Sequence, residues 1–259
     1  MKNLNAIITI AYRDVLKFLR DRTRILSTFI FPIVFIGVLG GSFQSNLGNL
    51  AGFNFLTFIF TGVVAQTLFQ SSASGIISLI EDKENDFSQE MFVSPISRYS
   101  IIIGKIVGES SVAYIQVIGI VLFSLLLGVP MSLQQLVFLI PIGLLCCLVG
   151  GSFGVLVMSQ LNNQRAANQI FPFLLFPQFF LSGVFTPVKN LPFYLLVLSR
   201  ISPMTYAVDL TRGVYYFGKP EYSKIVINSF YMDTLILSGM FIVMLTIGTY
   251  FFVRNERDK

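Results

Sequence analysis

LVFLIPIGLLCCLVGGSFGVLVMS, residues 136–159, carries no charge over its whole length. An α-helix rises 1.5 Å per residue, so about 20 apolar residues cross the roughly 30 Å hydrocarbon layer of a membrane. Comparable apolar runs lie at residues 25–43, 55–80, 106–127, 170–185 and 235–253. The sequence therefore predicts an all-α membrane protein with six transmembrane helices.

The composition of the whole chain supports this interpretation. Of the 259 residues, 54% are hydrophobic and 12% are charged, which is more apolar side chain than one water-soluble domain can bury. The net charge of +5 does not indicate a nucleic-acid partner, because the basic residues lie at the edges of the apolar runs. We expect a six-span membrane domain over residues 25–253, preceded by a helix within residues 1–24 and followed by a tail, 254–259.

The distribution of lysine and arginine predicts how the chain crosses the membrane. Six basic residues precede the first apolar run and three follow the last one. Both termini are therefore predicted to be cytoplasmic, in a multi-pass protein of the plasma or inner membrane. The uncharged connections 44–54 and 128–135 then lie outside. The connection 186–234 is also predicted outside, although it holds five basic residues, because long loops escape the charge rule.

The segment before the first apolar run has the pattern of an amphipathic helix. Its apolar residues at helical spacing are Ile8, Ala11, Val15 and Leu19. A basic stripe on another face contains Arg13, Lys17, Arg20 and Arg24. This pattern is typical of a helix that lies in the cytoplasmic interface of a membrane. The alternative is a solvated helical extension that carries the topology charges.

The fifth apolar run is short, and two prolines, Pro172 and Pro177, interrupt it. It ends in LSGVFTP, residues 181–187, and a second apolar stretch, LPFYLLVL, follows at residues 191–198. Eight residues cannot cross a bilayer. The second stretch is therefore predicted to be a re-entrant or interfacial helix, or half of an irregular hairpin packed against protein.

Motifs for chemistry on a nucleotide, cofactor or metal are missing from the sequence. It contains no histidine, no G-x-x-x-x-G-K-[ST] phosphate loop and no predicted span with two carboxylates. Cys146 and Cys147 are adjacent within an apolar run, which predicts small buried residues instead of a metal site. We expect a non-enzymatic chain without a cofactor, so that any ATP hydrolysis occurs in another polypeptide.

The few polar residues in the predicted spans have two interpretations. Glu109 follows Lys105 by one helical turn, which predicts an interfacial ion pair; the alternative is a carboxylate in a substrate or proton pathway. The second run contains polar residues that favour a helix facing a protein interior or a pathway: Gln66, Gln70, Ser71, Ser72 and Ser74. Three G-x-x-x-G pairs are interpreted as internal packing sites: Gly37 and Gly41, Gly104 and Gly108, and Gly150 and Gly154.

The connection between the second and third runs is the most unusual segment. Residues 81–105 read EDKENDFSQEMFVSPISRYSIIIGK. Acidic residues are followed by apolar residues at near-helical spacing, until Pro95 breaks the helix. The pattern predicts a short amphipathic helix that docks on a soluble partner. The alternative is a segment that folds back on its own membrane domain.

Four motifs give the chain a family resemblance. VSPISR (93–98) and IIIGKIVGE (101–109) follow the second run, and LSGVFTPVKNLP (181–192) and RISPMTYAVDLTRG (200–213) accompany the fifth. Together they resemble ABC type-2 exporter permeases, in the order and six-span frame expected for them. One departure is DFSQE, residues 86–90, where many members carry a Gly-Thr-Leu-Glu type sequence. The detail of that contact face therefore stays open.

The resemblance implies the membrane-spanning permease subunit of an ATP-binding cassette exporter. A separate ABC ATPase subunit would drive alternating access, and two permease halves, as a homodimer or with a related permease, would surround one pathway among membrane lipids. Residues implied in ATPase coupling are Glu81, Glu84, Phe87, Glu90, Met91, Phe92, Pro95 and Arg98. Residues implied in an external segment that closes the pathway are Gly183, Phe185, Pro187, Pro192, Pro203 and Tyr206.

Two other functions are compatible with the same residues. One is a non-transporting membrane anchor or sensor that binds an ATPase partner through the segment 81–105. The other is a secondary transporter, for which Glu109 is the one intramembrane carboxylate that the predicted spans offer.

Overall fold

A computed structural model of the chain describes residues 2–84, 97–161 and 164–257, and the regular structure in these ranges is helical. The helices up to the middle of the chain are α1 Lys2–Arg20, α2 Arg22–Ile33, α3 Gly41–Ala51, α4 Phe55–Gly75, α5 Ile77–Glu84 and α6 Arg98–Leu126. The remaining helices are α7 Leu133–Met158, α8 Gln164–Leu181, α9 Phe193–Ile201, α10 Pro203–Tyr215, α11 Tyr222–Ile225 and α12 Phe230–Arg257. The predicted all-α class is therefore confirmed for the described part of the chain.

Five helical segments of the described chain are long and apolar enough to cross a membrane. They are Arg22–Gly48, Phe55–Ile80, Tyr99–Leu126, Leu133–Met158 and Tyr222–Arg254. Each contains or overlaps one of the predicted apolar runs. The predicted fifth span corresponds to α8, which is 18 residues long, contains two prolines and is outside this set. Six spans therefore remain a prediction.

The first span is one continuous helical rod made of α2, a π-helical stretch Val34–Gly40 and α3. It begins where the Asp21 carboxylate accepts a hydrogen bond from the Arg24 backbone N–H at 2.9 Å, which satisfies a free donor of the first turn. It ends at Gly52, whose φ of +69° is the left-handed conformation that favours glycine. The rod therefore extends beyond the predicted end at residue 43.

Helix α4 is the centre of the bundle, because α6, α7, α10 and the π-helical stretch all pack against it. Its contact with α7 depends on glycine: a Cβ added to Gly150 or Gly154 would overlap the backbone carbonyl oxygens of Phe69 and Ala73. This close approach confirms the interpretation of the Gly150 and Gly154 pair as an internal packing site.

Helix α1 packs along α6 through the second glycine pair. A Cβ on Gly104 would lie 3.1 Å from the Ile7 Cα, and one on Gly108 would lie 3.0 Å from the Ala11 Cα, so this pair is also a packing site. The third pair differs, since Gly41 has open space around it.

The apolar residues of α1 fall on two faces. One face, with Ile10 and Phe18, is buried. The other carries part of the predicted apolar stripe and stays open, with Ile8 58% and Leu19 50% exposed. A helix with an unburied apolar face beside a basic face is suited to the interface of a membrane, so the interfacial location stays a prediction.

The segment after α8 folds into short helices with different surroundings. Helix α9, which contains most of the predicted eight-residue stretch, is an open apolar helix with Phe193 80% and Tyr194 67% exposed. The next helix, α10, is buried along most of its length against α4, α7 and α12. The helix inserted into the bundle is therefore the one that follows the apolar stretch.

Cysteine labelling tests the predicted orientation. Asn3, Asn46 and Ser223 are exposed, whereas the native Cys146 and Cys147 are fully buried, so a cysteine introduced at an exposed position reports alone. With both termini cytoplasmic, an impermeant thiol reagent added outside cells should label Asn46→Cys and Ser223→Cys but not Asn3→Cys. Labelling of Asn3→Cys in intact cells would contradict the orientation, and permeabilised cells provide the control for its reactivity.

Candidate transport cavity and coupling elements

The open face of α4 is polar. Within residues 57–75 all side chains are buried except four, and these four share one face of the helix: Thr67, Gln70, Ser71 and Ser74. Other spans expose apolar residues, such as Ile30 at 62% in the first span and Leu122 at 59% in α6. Hydrocarbon disfavours unsatisfied polar groups, so the polar face of α4 is not suited to contact with lipid tails.

A cavity of about 290 Å³ lies against this polar face. Helices α2, α4 and α6 line it, and the lining residues are Arg24, Ser27, Thr28, Phe31, Gln66, Thr67, Gln70, Ser71, Ser74 and Gln116. The lining uses the beginning of the first span and the second half of α4, so the cavity lies toward the predicted cytoplasmic side. Four of the five polar residues predicted on the second run are thus brought together; the fifth, Ser72, is fully buried on another side of α4.

One amide in the lining has an unused hydrogen-bonding atom. Gln66 is 1% exposed, and its Nε2 donates to Gln70 Oε1 at 3.2 Å. Its Oε1 is buried and has no hydrogen-bond partner in the described part of the chain. A buried polar atom without a partner costs about 1–3 kcal/mol, so this atom is poised to accept a hydrogen bond from a ligand or water.

Two ion pairs close the end of the cavity near the start of the first span. Arg24 lies 3.3 Å from Glu109 Oε2, and Lys105 Nζ donates to Asp14 Oδ1 at 2.9 Å. Glu109 has room for its carboxyl group because it packs over Gly75, where any Cβ would overlap it. Lys105 and Glu109 thus lie on one face of α6, as their spacing predicts, and each also bonds a residue of another helix. Asp14 and Arg24 were not found from the sequence, because they are 91 and 85 residues from their partners.

The predicted ATPase-coupling residues lie at and beyond the edge of the described structure. Glu81 and Glu84 belong to α5 and Arg98 begins α6, but their side chains are outside the described residues. Phe87, Glu90, Met91, Phe92 and Pro95 also lie outside the described residues. The two flanking helices share an apolar cluster in which Leu79 and Ile80 pack with Ile101 and Ile102. A force applied to this segment would therefore act on α5 and α6 together.

The predicted external residues form a turn and the starts of two short helices. Gly183 has a φ of +82° in the turn after α8. Phe185 packs its ring 4.8 Å from that of Phe35 in the first span. The three prolines precede or begin short helices: Pro187 the 3-10 turn Val188–Asn190, Pro192 helix α9 and Pro203 helix α10. Tyr206 donates its hydroxyl to the Arg200 carbonyl at 2.8 Å, which joins α10 to α9.

Arg212 of α10 holds the external turn against α4 and was not singled out from the sequence. It is 2% exposed, and its guanidinium donates to the carbonyl oxygens of Phe58 at 3.2 Å and Val184 at 3.4 Å. The guanidinium carbon also lies 3.7 Å from the centre of the Phe58 ring, within the range of a cation–π contact. Burial lowers the pKa of Arg212 to about 10, so the side chain stays charged at neutral pH.

Two buried carboxylates join α10 to the beginning of α12. Asp209 accepts hydrogen bonds from the backbone N–H groups of Ile227 and Asn228, both at 2.8 Å at the shortest. Asp233 accepts from the Asn228 side-chain amide at 2.8 Å. Burial raises the pKa of Asp209, while the two backbone hydrogen bonds oppose this shift. The sequence missed this arrangement because the two carboxylates lie on different helices.

Comparison with known proteins gives consistent relatives. The chain is 27% identical over 199 residues to the transport permease ycf38 of Cyanophora paradoxa, which covers 74% of this chain and 67% of the relative. It is 24% identical over 208 residues to the inner membrane transport permease YadH of Escherichia coli, covering 79% and 80%. It is 33% identical over 144 residues to YbhR of Escherichia coli, named as a multidrug ABC transporter permease, covering 54% of this chain and 38% of the relative.

The family comparison covers most of the helices described above. Residues 5–216 match the ABC-2 type transporter family, and this range extends from α1 to the end of α10. It includes the cavity lining, both buried ion pairs and the buried Arg212. The chain therefore belongs to the ABC-2 type transporter family and is a transmembrane permease subunit.

Proposed function

We propose that the chain exports a substrate through a pathway lined by the polar face of α4, with energy supplied by a separate ABC ATPase. The observation that carries the proposal is that the central helix of the bundle is buried on every side except a polar one. A polar face at membrane depth is tolerated where it faces protein or a water-filled cavity. Membership of the family supports an ATPase partner.

The same face supports assembly from two permease halves. The cavity beside α4 is lined by helices of one chain, yet Gln70, Ser71 and Ser74 remain half-buried within it. A second copy, or a related permease, placed against this face would shield these groups from lipid and complete the walls of the pathway. Two ATPase subunits would then move the two halves between inward-open and outward-open states.

Transport in a reconstituted system tests this proposal. The permease and its co-purified ATPase would be placed in liposomes with the ATPase outside, and uptake of a labelled alkyl glucoside, a cationic dye and a labelled peptide would be followed. ATP-dependent uptake of at least one of them is expected, without an effect of dissipating ion gradients. Uptake that follows an ion gradient without ATP would support secondary transport. A stable complex that moves none of them would support an anchor or sensor.

The coupling segment gives a second prediction, on residues predicted from the sequence. Truncating Phe92 to alanine should weaken ATPase binding by about 2 kcal/mol, or roughly 30-fold, because a buried aromatic anchor carries a large share of the energy of a small interface. Reversing the charge at Glu90 should cost only about 0–1 kcal/mol, because exposed ion pairs contribute little. Affinity of the detergent-solubilised permease for its ATPase measures both. Equal affinity of Phe92→Ala and the parent would remove this segment as the docking site.

A further inference from the structure

We infer that the cavity between α2, α4 and α6 binds a small, uncharged group rich in hydroxyls, such as the sugar or polyol head of an amphiphile. The inference rests on the proposed function and names the substrate class of the same pathway. Three properties of the cavity support it, namely its charge balance, its free hydrogen-bonding atoms and its size.

The charges around the cavity are already paired. Arg24 is the one ionised side chain of the lining, and it bonds Glu109 at 3.3 Å. A cationic ligand would find no carboxylate among the lining residues. An anionic ligand would have to take Arg24 from Glu109, which is 1% exposed and would be left with an uncompensated charge. Breaking a buried ion pair is strongly destabilising, so the cavity favours a ligand without net charge.

The free hydrogen-bonding atoms favour hydroxyls in particular. One end of the Gln66 amide bonds Gln70, and the other end is buried without a partner. The oxygen and nitrogen of an amide can exchange places by a flip of the group, so the free atom is an acceptor in one orientation and a donor in the other. A hydroxyl both donates and accepts, and it satisfies either orientation. An ammonium only donates and a phosphate only accepts.

The rest of the lining extends the same pattern. Ser71 and Ser74 lie on the open face of α4, within reach of a bound group in the cavity. Ser27 and Thr28 already donate their hydroxyl hydrogens to the Arg24 carbonyl, at 3.0 Å and 2.8 Å, so each keeps lone pairs to accept a hydrogen bond. The lining therefore offers several acceptors spaced along two helices, which match the repeated hydroxyls of a sugar or polyol.

The volume and the aromatic wall set the size of the bound group. The cavity holds about 290 Å³, which is at the lower end of the roughly 300–1,000 Å³ range of ligand pockets. Phe31 supplies an apolar wall, and it is held by ring contacts with Phe35 at 3.9 Å and Phe179 at 5.7 Å. A small head group fits this space, with the apolar C–H face of a sugar ring against Phe31.

Photolabelling with three matched probes tests the inference without ATP or the ATPase. The probes share one diazirine-bearing alkyl chain and differ in the head, which is glucose, trimethylammonium or phosphate. The permease in lipid nanodiscs should be labelled on peptides of the cavity lining about tenfold more by the glucoside than by the other two. Excess methyl glucoside tests for a free polyol, and excess unlabelled alkyl glucoside tests for a lipid-linked head.

The variant Gln66→Leu should reduce glucoside labelling of the lining about tenfold, the loss expected from one hydrogen bond of about 1.4 kcal/mol. Gln134→Leu, at an exposed glutamine at the start of α7, is the matched control and should label as the parent does. If Gln66→Leu does not fold, as judged by thermal melting, Ser74→Ala replaces it with a smaller expected loss.

Several outcomes would overturn the inference. They are equal labelling by the glucoside and ammonium probes, labelling outside the lining, and unchanged labelling of folded Gln66→Leu. ATP-coupled transport of other compounds with no glucoside labelling would reject the substrate class alone. Glucoside labelling with no ATP-coupled transport would reject the proposed function alone.

Discussion

Replacing Arg212 with alanine should lower the free energy of unfolding by about 3 kcal/mol, and it should do so without changing the number of spans. The guanidinium bonds the carbonyls of Phe58 and Val184 and lies over the Phe58 ring, so truncation removes charged hydrogen bonds and a cation–π contact in one step. It also leaves a cavity between α10 and α4. Thermal and denaturant unfolding of the solubilised permease measure the loss.

Arg200→Ala provides the matched control for this prediction. Arg200 donates to Asn228 Oδ1 at 2.9 Å, but this contact is exposed, so its loss should cost less than about 1 kcal/mol. Arg212→Lys separates charge from geometry, because an ammonium cannot reproduce a planar guanidinium over a ring with several donors. It should recover only part of the lost stability. Equal stability of Arg212→Ala and Arg200→Ala would show that Arg212 does not hold the external turn against α4.

Replacing Lys105 with methionine should cost about 3 kcal/mol, because it leaves the Asp14 carboxylate buried beside only a longer contact to Arg13. Both Lys105 and Asp14 are nearly inaccessible, at 1% and 3% exposure. The double variant Asp14→Leu with Lys105→Met should regain at least half of the loss, since two apolar side chains can replace a buried pair at little cost. A double-mutant cycle of unfolding free energies measures the coupling.

Lys189→Met is the control for the lysine truncation itself. Lys189 donates to the Ser223 carbonyl at an exposed site, so its loss should cost less than about 1 kcal/mol. If the losses of the two single variants at residues 14 and 105 simply add in the double variant, the pair makes no coupled contribution. In that case α1 would be held on α6 by the glycine contacts and its apolar residues alone.

The location of the spans and their close contacts could be predicted from the sequence. A membrane-crossing helix is a local property, because about 20 apolar residues decide it whatever the rest of the chain does. The glycine pairs Gly104 and Gly108, and Gly150 and Gly154, were also predicted correctly as packing sites. Glycine is informative in this way because removing the side chain is required wherever two helix backbones approach closely. The pair Gly37 and Gly41 shows the limit, since spacing alone cannot say whether another helix is present.

The polar residues that make the candidate site depend on the tertiary structure. Gln66, Gln70, Ser71 and Ser74 were recognised as unusual, but only the packing of α4 shows that they line one cavity. Arg24 and Glu109, Lys105 and Asp14, and Arg212 and Val184 meet across 85, 91 and 28 residues. No local pattern specifies such partners, because each depends on how several helices are arranged.

The sequence by itself determined that this protein is helical, lies in a membrane and carries its polar residues on one side of a central span. Hydrophobicity and helical period decide these features within single segments. The tertiary structure decided which short helix is buried, where α10 and not the more apolar α9 enters the bundle. The reason is that Arg212 and Asp209 find hydrogen-bonding partners there, and a buried polar helix is stable only when other elements supply those partners.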